Sequence, residues 1–301
     1  MNLEMKSKIQ NAFVLLALAG LMGLAVAVQA QTIQPIYSFT DGAYPYAALT
    51  LGPDGNFYGT TLEGGSNPLG TVFQVTTDGE LTTLVNFVGA NGATPQPSLT
   101  LGPDGNFYGT TAHGGSRDQG TVFRVTTDGA LTTLVDFVGA NGGYPLAALT
   151  LGPDGNFYGT TTSKGSFGEG TVFRVTTGGA LTTLVSFDGY DKGAYPYAAL
   201  TLGPDGNFYG TAQESGSGGG GEIYRLNLPP TISQIIHSAD GGLTLDLVST
   251  RNVSSRLYAA TNLSPPFVWQ PIATNLDGGA WRFTDTNTAG FPVKLYRVST
   301  P

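Results

Sequence analysis

One eleven-residue segment, TLGPDGNFYGT, occurs four times in this chain and restricts its fold more than any other feature. The copies begin at Thr50, Thr100, Thr150 and Thr201, so the repeat period is about 50 residues. A period of this length is typical of propeller blades and a few other arrays, in which each repeat is one small supersecondary unit. We therefore expect a tandem-repeat protein.

Each repeat contains four short runs rich in Thr, Val, Phe, Tyr and Leu, which we name A, B, C and D. In the first repeat they span residues 47–51, 57–61, 71–76 and 81–87. These residue types favour β-strands, and no run is long enough for a helix. Pro-Asp-Gly between A and B and Asp-Gly between C and D indicate tight turns. Four antiparallel strands in one repeat predict an all-β propeller blade.

The two ends of the array predict how a ring would close. The fourth repeat has an A, a B and a C run within residues 196–226, and then meets Pro229 and Pro230 where D would begin. Residues 32–39 resemble the missing D run. Their apolar positions align in order with those of the first repeat: Ile33 with Leu81, Ile36 with Leu84, Tyr37 with Val85 and Phe39 with Phe87. We therefore predict a four-bladed β-propeller over residues 31–228, closed by the amino-terminal strand into a monomeric ring. An open solenoid and a ring assembled from two chains are the alternatives.

The first 30 residues have the layout of a cleavable export signal. Lys6 and Lys8 precede an apolar run over residues 12–28, and Val28-Gln29-Ala30 matches a small-residue cleavage site. We expect a secreted or periplasmic protein with no membrane insertion after cleavage, although a retained anchor is the alternative. The chain has no cysteine for disulfides, and its net charge of -8 argues against a nucleic-acid partner.

Residues 229–301 lack the repeat and are predicted to form a small β-sandwich of six strands separated by turn residues. The large aromatic residues Trp269, Trp281, Phe283 and Tyr296 are predicted to form its core. An exposed aromatic platform for a ligand is the alternative reading.

The repeat also carries the pattern of a known family. Tyr58-Gly59-Thr60-Thr61, Gly64-Gly65-Ser66 and Gly70-Thr71-Val72-Phe73, followed by Phe87 and Gly89, resemble the GloVer tandem repeat of exported bacterial proteins over residues 37–226. The strand order and the Pro-Asp-Gly-Asn turn are similar to NHL-type propeller blades. Residues 257–298 resemble a β-module that often ends such proteins. The resemblance implies export and a repeat architecture, and it implies no catalytic residues.

Chemical motifs are sparse, and we predict no catalytic, metal or cofactor site. An aspartate recurs in the A–B turn at Asp54, Asp104, Asp154 and Asp205, where a tight turn explains it better than calcium, because a run of alternating oxygen ligands is missing. His113 and His237 have no metal-ligand spacing. A pair of catalytic carboxylates among the loop residues Glu63, Asp118, Glu169 and Glu214 stays open, because spacing in space is invisible in a sequence.

The repeats differ from one another mainly in the B–C and D–A loops, which emerge on the same face of an up-and-down blade. Because binding surfaces are usually loops on a rigid scaffold, this variable loop face is the candidate binding site. It comprises Tyr46, His113, Arg117, Tyr144, Lys164, Phe167, Tyr195, Tyr197, Gln213 and Glu214. Tyrosine beside polar groups suits a protein partner or a sugar ring.

We therefore expect a non-enzymatic scaffold that binds an unidentified protein or cell-surface partner. A carbohydrate-binding propeller is the alternative, and a polysaccharide hydrolase or lyase is the third reading. A further possibility is that these loops vary without function and that their tyrosines pack over the blade ends.

Overall fold

The computed structural model describes residues 33–40, 43–214, 219–228, 231–237, 243–249, 255–260, 269–276, 279–285 and 294–299. The predicted export signal lies outside these ranges. Residues before Tyr37 belong to a separate compact unit, and the account below concerns the unit from Tyr37 onward. Every described element is a β-strand. Within the described ranges, no helix is long and apolar enough to cross a membrane.

Each of the first three repeats folds into one antiparallel four-stranded sheet with its strands in chain order. In the first repeat these are β1 (Thr50–Leu51), β2 (Phe57–Thr61), β3 (Thr71–Val75) and β4 (Leu81–Asn86). The second repeat contains β5 (Thr100–Leu101), β6 (Phe107–Thr111), β7 (Thr121–Val125) and β8 (Leu131–Asp136). The third contains β9 (Thr150–Leu151), β10 (Phe157–Thr161), β11 (Thr171–Val175) and β12 (Leu181–Ser186). The predicted all-β repeat of four antiparallel strands is confirmed.

The A strand is shorter than predicted, because only its last two residues pair with the B strand. The preceding residues face the neighbouring repeat instead. The backbone carbonyl of Pro97, for example, accepts a hydrogen bond from Thr60 of the repeat before it.

The A–B turn is held by its repeated aspartate, as the turn reading predicts. In the second repeat, Asp104 accepts hydrogen bonds from the backbone and side-chain nitrogens of Asn106 and, at 2.8 Å, from the hydroxyl of Tyr108. Gly105 has a φ of 77°, which glycine adopts without strain. Aspartate, asparagine and tyrosine make the same contacts in the other three repeats.

Consecutive repeats meet through an aromatic stack that we call the junction. The ring of Tyr58 lies 4.0 Å from that of Phe107 in the next repeat, and both side chains are fully buried. The equivalent rings are 4.1 Å apart at the second junction and 4.4 Å apart at the third. Burying such large rings stabilises each contact through apolar area and ring geometry. The core therefore runs from repeat to repeat.

The described strands of the fourth repeat form a sheet of three, so they do not test the predicted closure of the ring. The fourth repeat contributes three described strands, β13 (Thr201–Leu202), β14 (Phe208–Ala212) and β15 (Glu222–Leu226), and residues 33–39 form no strand. Phe39 nevertheless meets Phe73 edge to face at 5.4 Å, as Phe87 meets Phe123 at 5.3 Å. This contact agrees with the predicted alignment of Phe39 with Phe87, while closure itself stays a prediction.

The remaining described strands form two antiparallel sheets. The first has the order β16 (Thr231–His237), β17 (Leu243–Ser249), β20 (Gly279–Asp285), and the second has the order β19 (Gln270–Asn275), β18 (Ser255–Ala260), β21 (Leu295–Ser299). Leucines of β17 and β18 form one cluster, against which Trp281, Phe283 and Tyr296 pack as predicted. Trp269 is an exception, because its ring lies 4.7 Å from the guanidinium of Arg297 instead.

Candidate binding face

The variable loops of successive repeats are hydrogen-bonded to one another. Ala93 in the first D–A loop exchanges two backbone hydrogen bonds with His113 in the next B–C loop, at 2.9 and 3.1 Å. Gly143 with Ser163 and Ala194 with Glu214 repeat this pairing. The B–C and D–A loops therefore form a continuous band across the described repeats.

One position in each D–A loop anchors this band. Thr94, Tyr144 and Tyr195 have φ values of 52°, 58° and 55°, and each precedes a proline. The N–H of each donates to the B–C loop of its own repeat, and the carbonyl accepts a hydrogen bond from the B–C loop of the next repeat. Because the conformation recurs with both Thr and Tyr, the backbone bonds impose it whatever the side chain.

A small glycine hairpin precedes each anchor. Gly139 and Gly142 pair through two backbone hydrogen bonds at the tip of the second D–A loop. Gly189 and Gly193 occupy the same place in the third loop, where one more residue separates them.

The second and third repeats bring two of the predicted residues together. The ring of His113 meets that of Tyr144 edge to face at 5.4 Å. Its Nδ1 lies 3.9 Å from a carboxylate oxygen of Asp118, which also accepts a hydrogen bond from the backbone of Gly114. Arg117 lies exposed in the same loop. This group combines an aromatic edge with exposed charge.

The third and fourth repeats bring together a second group. A hydrogen bond to Glu169 and the negative charge of that carboxylate raise the pKa of the Tyr195 hydroxyl, and the charge of Glu214 adds to the effect. Tyr197 and Gln213 line the same cleft as Tyr195. In the sequence Glu169 is only one of several loop carboxylates, because its contact with Tyr195 joins positions far apart in the chain.

The other predicted residues lie apart from these two groups. Lys164 and Phe167 are exposed in the third B–C loop, where the ammonium of Lys192 lies 5.8 Å from the Phe167 ring. Lys192 lies in the D–A loop that follows the same repeat and is not among the predicted residues. Tyr46 is 73% exposed and precedes the first A strand, at the position that Tyr197 occupies in the fourth repeat.

A cleft of about 910 Å³ lies on the outer side of the fourth repeat. Tyr195, Tyr197, Gln213, Glu222 and Ile223 are among its lining residues. Ile223 is 81% exposed, although a C-strand residue at this position is otherwise in the core. The cleft could not be predicted from the sequence, since an apolar residue in a strand predicts burial.

We find no group of three or more His, Cys, Asp or Glu placed to hold a metal ion within the described ranges. Aromatic rings, exposed charged side chains and the cleft of the fourth repeat make up the candidate site.

Comparison with known proteins assigns the chain to a class and then to a family. The repeated four-stranded sheets define an all-β tandem-repeat protein. The Gloeobacter/Verrucomicrobia repeat matches over residues 22–129 and 44–263, so the chain belongs to that family, the one its repeat pattern resembles. No curated protein matches the chain.

Solved structures resemble the chain only distantly. One is a putative 6-phosphogluconolactonase from Bacteroides uniformis, 16% identical, with a TM-score of 0.36 over 78% of this chain and 72% of that one. Another is described as an endo-1,4-beta-xylanase from Bacteroides thetaiotaomicron, 11% identical, with a TM-score of 0.36 over 80% of this chain and 99% of that one. Similarity this low carries no argument about activity.

Proposed function

We propose that this chain is an exported, non-enzymatic scaffold whose propeller-like repeats present the variable loop face to a protein or cell-surface partner. The observation that carries the proposal is the loop band itself. Its backbone hydrogen bonds repeat at every described junction, while its side chains change from repeat to repeat. A rigid frame with changing side chains is the usual design of a binding surface.

The chemistry of the face supports a polar, aromatic contact. Tyr46, Tyr197 and Phe167 are each more than half exposed, and the ammonium of Lys192 lies 5.8 Å from the Phe167 ring. Tyrosine supplies a large contact area at low entropic cost and keeps a hydroxyl for hydrogen bonding. Such a surface favours a partner with a mixed polar and apolar face.

Carbohydrate binding is the second candidate, and a specific observation favours it. Tyr195, Tyr197 and Gln213 line one cleft, with the carboxylates of Glu169 and Glu214 beside the Tyr195 hydroxyl. Aromatic faces with adjacent hydrogen-bonding groups can hold a sugar ring.

The test is a binding screen of the purified protein against polysaccharides and against envelope proteins of the host cell. Two variants probe the face: Tyr46→Ala with Tyr197→Ala, and Tyr144→Ala with Phe167→Ala, the second pair lying between the ends of the array. The matched control is Asp78→Ala with Glu80→Ala, two exposed changes in a C–D turn on the opposite side.

We expect a stoichiometric protein partner. Its affinity should fall at least tenfold in the face variants and stay unchanged in the control. Saturable binding to one glycan, lost in the face variants, would replace the scaffold by the carbohydrate-binding reading. Turnover of a polysaccharide, abolished by Glu169→Gln or Glu214→Gln, would overturn the non-enzymatic part. Equal binding by all variants would remove the loop face as the site.

A further inference from the structure

The three junctions show which residues of a repeat are buried by its neighbours. The leucine before an A strand belongs to the same core cluster as the C-strand valine of the preceding repeat. Leu99 and Leu149 are 4% exposed, and Val72 and Val122 are fully buried. A repeat is therefore complete only when another repeat covers its outer side.

The two ends of the array expose these same positions. At the first repeat, Leu49 is 49% exposed, and at the fourth, Ile223 is 81% exposed. Phe57 and Tyr209, which correspond to the two stacked rings of a junction, are only half-buried. The ends thus carry the two halves of one further junction.

The polar groups of the ends match in the same way. At the first junction, the hydroxyls of Thr50 and Thr60 donate to the carbonyls of Leu99 and Pro97, at 2.6 and 3.2 Å. The second and third junctions repeat both bonds. The corresponding donors on the fourth repeat are the exposed Thr201 and Thr211, and the corresponding carbonyls on the first repeat are those of Leu49 and Ala47.

The cleft of the fourth repeat lies where a following repeat would pack. In the first junction, a Cβ on Gly70 would lie 2.5 Å from the Cδ of Pro95, so the proline of the next repeat fills this space. Gly221, the equivalent glycine of the fourth repeat, lines the cleft, while Pro45, the equivalent proline of the first repeat, is exposed. The cleft is therefore shaped to receive a first-repeat end.

The regularity of the junctions indicates which chain supplies that end. The three stacks differ by little in distance, and their ring planes meet at 28°, 28° and 37°. With three such junctions in place, both ends remain exposed, so four repeats in this geometry do not bring the ends of one chain together. An unlike pair of surfaces on each copy gives head-to-tail assembly, as a ring of copies or as a filament.

We propose that the first-repeat end of one chain docks on the fourth-repeat cleft of a second copy. Leu49 then covers Ile223, Pro45 enters the cleft beside Gly221, and Thr211 donates to the carbonyl of Ala47. The interface overlaps the variable loop face at Tyr195, Tyr197 and Gln213, which line the cleft, so the Tyr144→Ala with Phe167→Ala pair tests the face apart from the interface.

Because the chain has no cysteine, the contact can be tested by site-directed cross-linking on a clean background. The variants are Leu49→Cys and Ile223→Cys, both exposed in the single chain, treated with a short bis-maleimide. We expect a cross-linked dimer from an equimolar mixture of the two variants and none from either variant alone, because the interface joins unlike surfaces.

The other outcomes are equally informative. A chain that carries both Leu49→Cys and Ile223→Cys serves as the second sample. A cross-link within single molecules of this double variant, with none in the mixture, would overturn the proposal in favour of a single-chain ring. No cross-link in either sample, with a monomeric mass by light scattering, would overturn docking altogether.

A second measurement uses charge to disrupt the contact. Leu49→Asp with Ile223→Asp should change the mass from two or more copies to one, with unchanged circular dichroism. Val88→Asp is the matched control, since Val88 is 52% exposed and its equivalent Val138 is also exposed, at 41%, between interior repeats. A monomeric mass for the unmodified protein, or the same change in the control, would contradict the proposal.

Discussion

The A–B turns and the D–A loops lie at opposite ends of the strands and are built on different rules. In the A–B turn, side chains hold the structure: Asp104 binds Asn106 and Tyr108, and all four repeats keep these residue types. In the D–A loop, backbone groups hold the structure, so Thr94 and Tyr144 take the same conformation and the same hydrogen bonds. Side chains are therefore free to change only where the backbone makes the bonds, which is the face where a binding function can change.

The largest expected effect is the difference between removing a side chain that holds the A–B turn and removing one from the D–A loop. Tyr108→Ala deletes a fully buried ring from the junction and the partner of Asp104, so the free energy of unfolding should fall by about 3–5 kcal/mol. Tyr144→Ala in the loop should cost less than about 1 kcal/mol. Urea unfolding followed by circular dichroism measures both, and similar losses for the two variants would contradict the division between turn and loop.

The second expected effect is a loss of stability at alkaline pH. Burial, together with the hydrogen bond to the neighbouring aspartate, raises the pKa of Tyr58 and of Tyr108 to about 12, from 10.0. A raised pKa means that this contribution is fully present below pH 10 and is lost as the pH rises towards 12. The thermal midpoint should therefore drop over that window, and it should drop less in Tyr108→Phe. An identical pH profile in this variant would remove the tyrosine–aspartate pairs as the cause.

The smallest expected effect concerns the strained anchor of the loop. Thr94 is β-branched at positive φ, and its hydroxyl is buried without a hydrogen-bond partner. Asparagine tolerates this conformation better, so Thr94→Asn should stabilise the protein by roughly 0.5–1 kcal/mol. Thr83→Asn, an exposed change within β4, is the control and should give no gain, because threonine favours strands. A loss of stability in Thr94→Asn would show that the anchor depends on its side chain.

Local pattern was sufficient to predict the strands and turns of the repeat. The B strand begins at Phe57 and ends at Thr61 as predicted, because its residue types and its flanking turns act within a few positions. The A strand was predicted too long, since only Thr50 and Leu51 pair with strand B, whereas the backbone N–H of Ala48 donates to Ser98 of the next repeat. The local sequence pattern does not indicate contacts between repeats.

The same limit applies to the candidate site. The exposed position of Tyr46 and the pairing of B–C with D–A loops agree with the expectation from blade topology. The contact of Glu169 with Tyr195 and the stacking of Arg297 on Trp269 depend on three-dimensional neighbours, so no spacing in the sequence indicates them. Repeat comparison located the variable loops, but it could not arrange the groups within them.

The glycine hairpin before each anchor also determines how these loops can lengthen. The third D–A loop is one residue longer than the second, yet the extra residue lies between Gly189 and Gly193, and Tyr195 keeps the bonds of Tyr144. Lengthening the loop at its tip therefore leaves the hydrogen bonds of the anchor unchanged. Insertions of new sequence between these glycines would lengthen the tips of the D–A loops without shifting the repeats beneath them, so each hairpin can accept new sequence at no cost to the sheets.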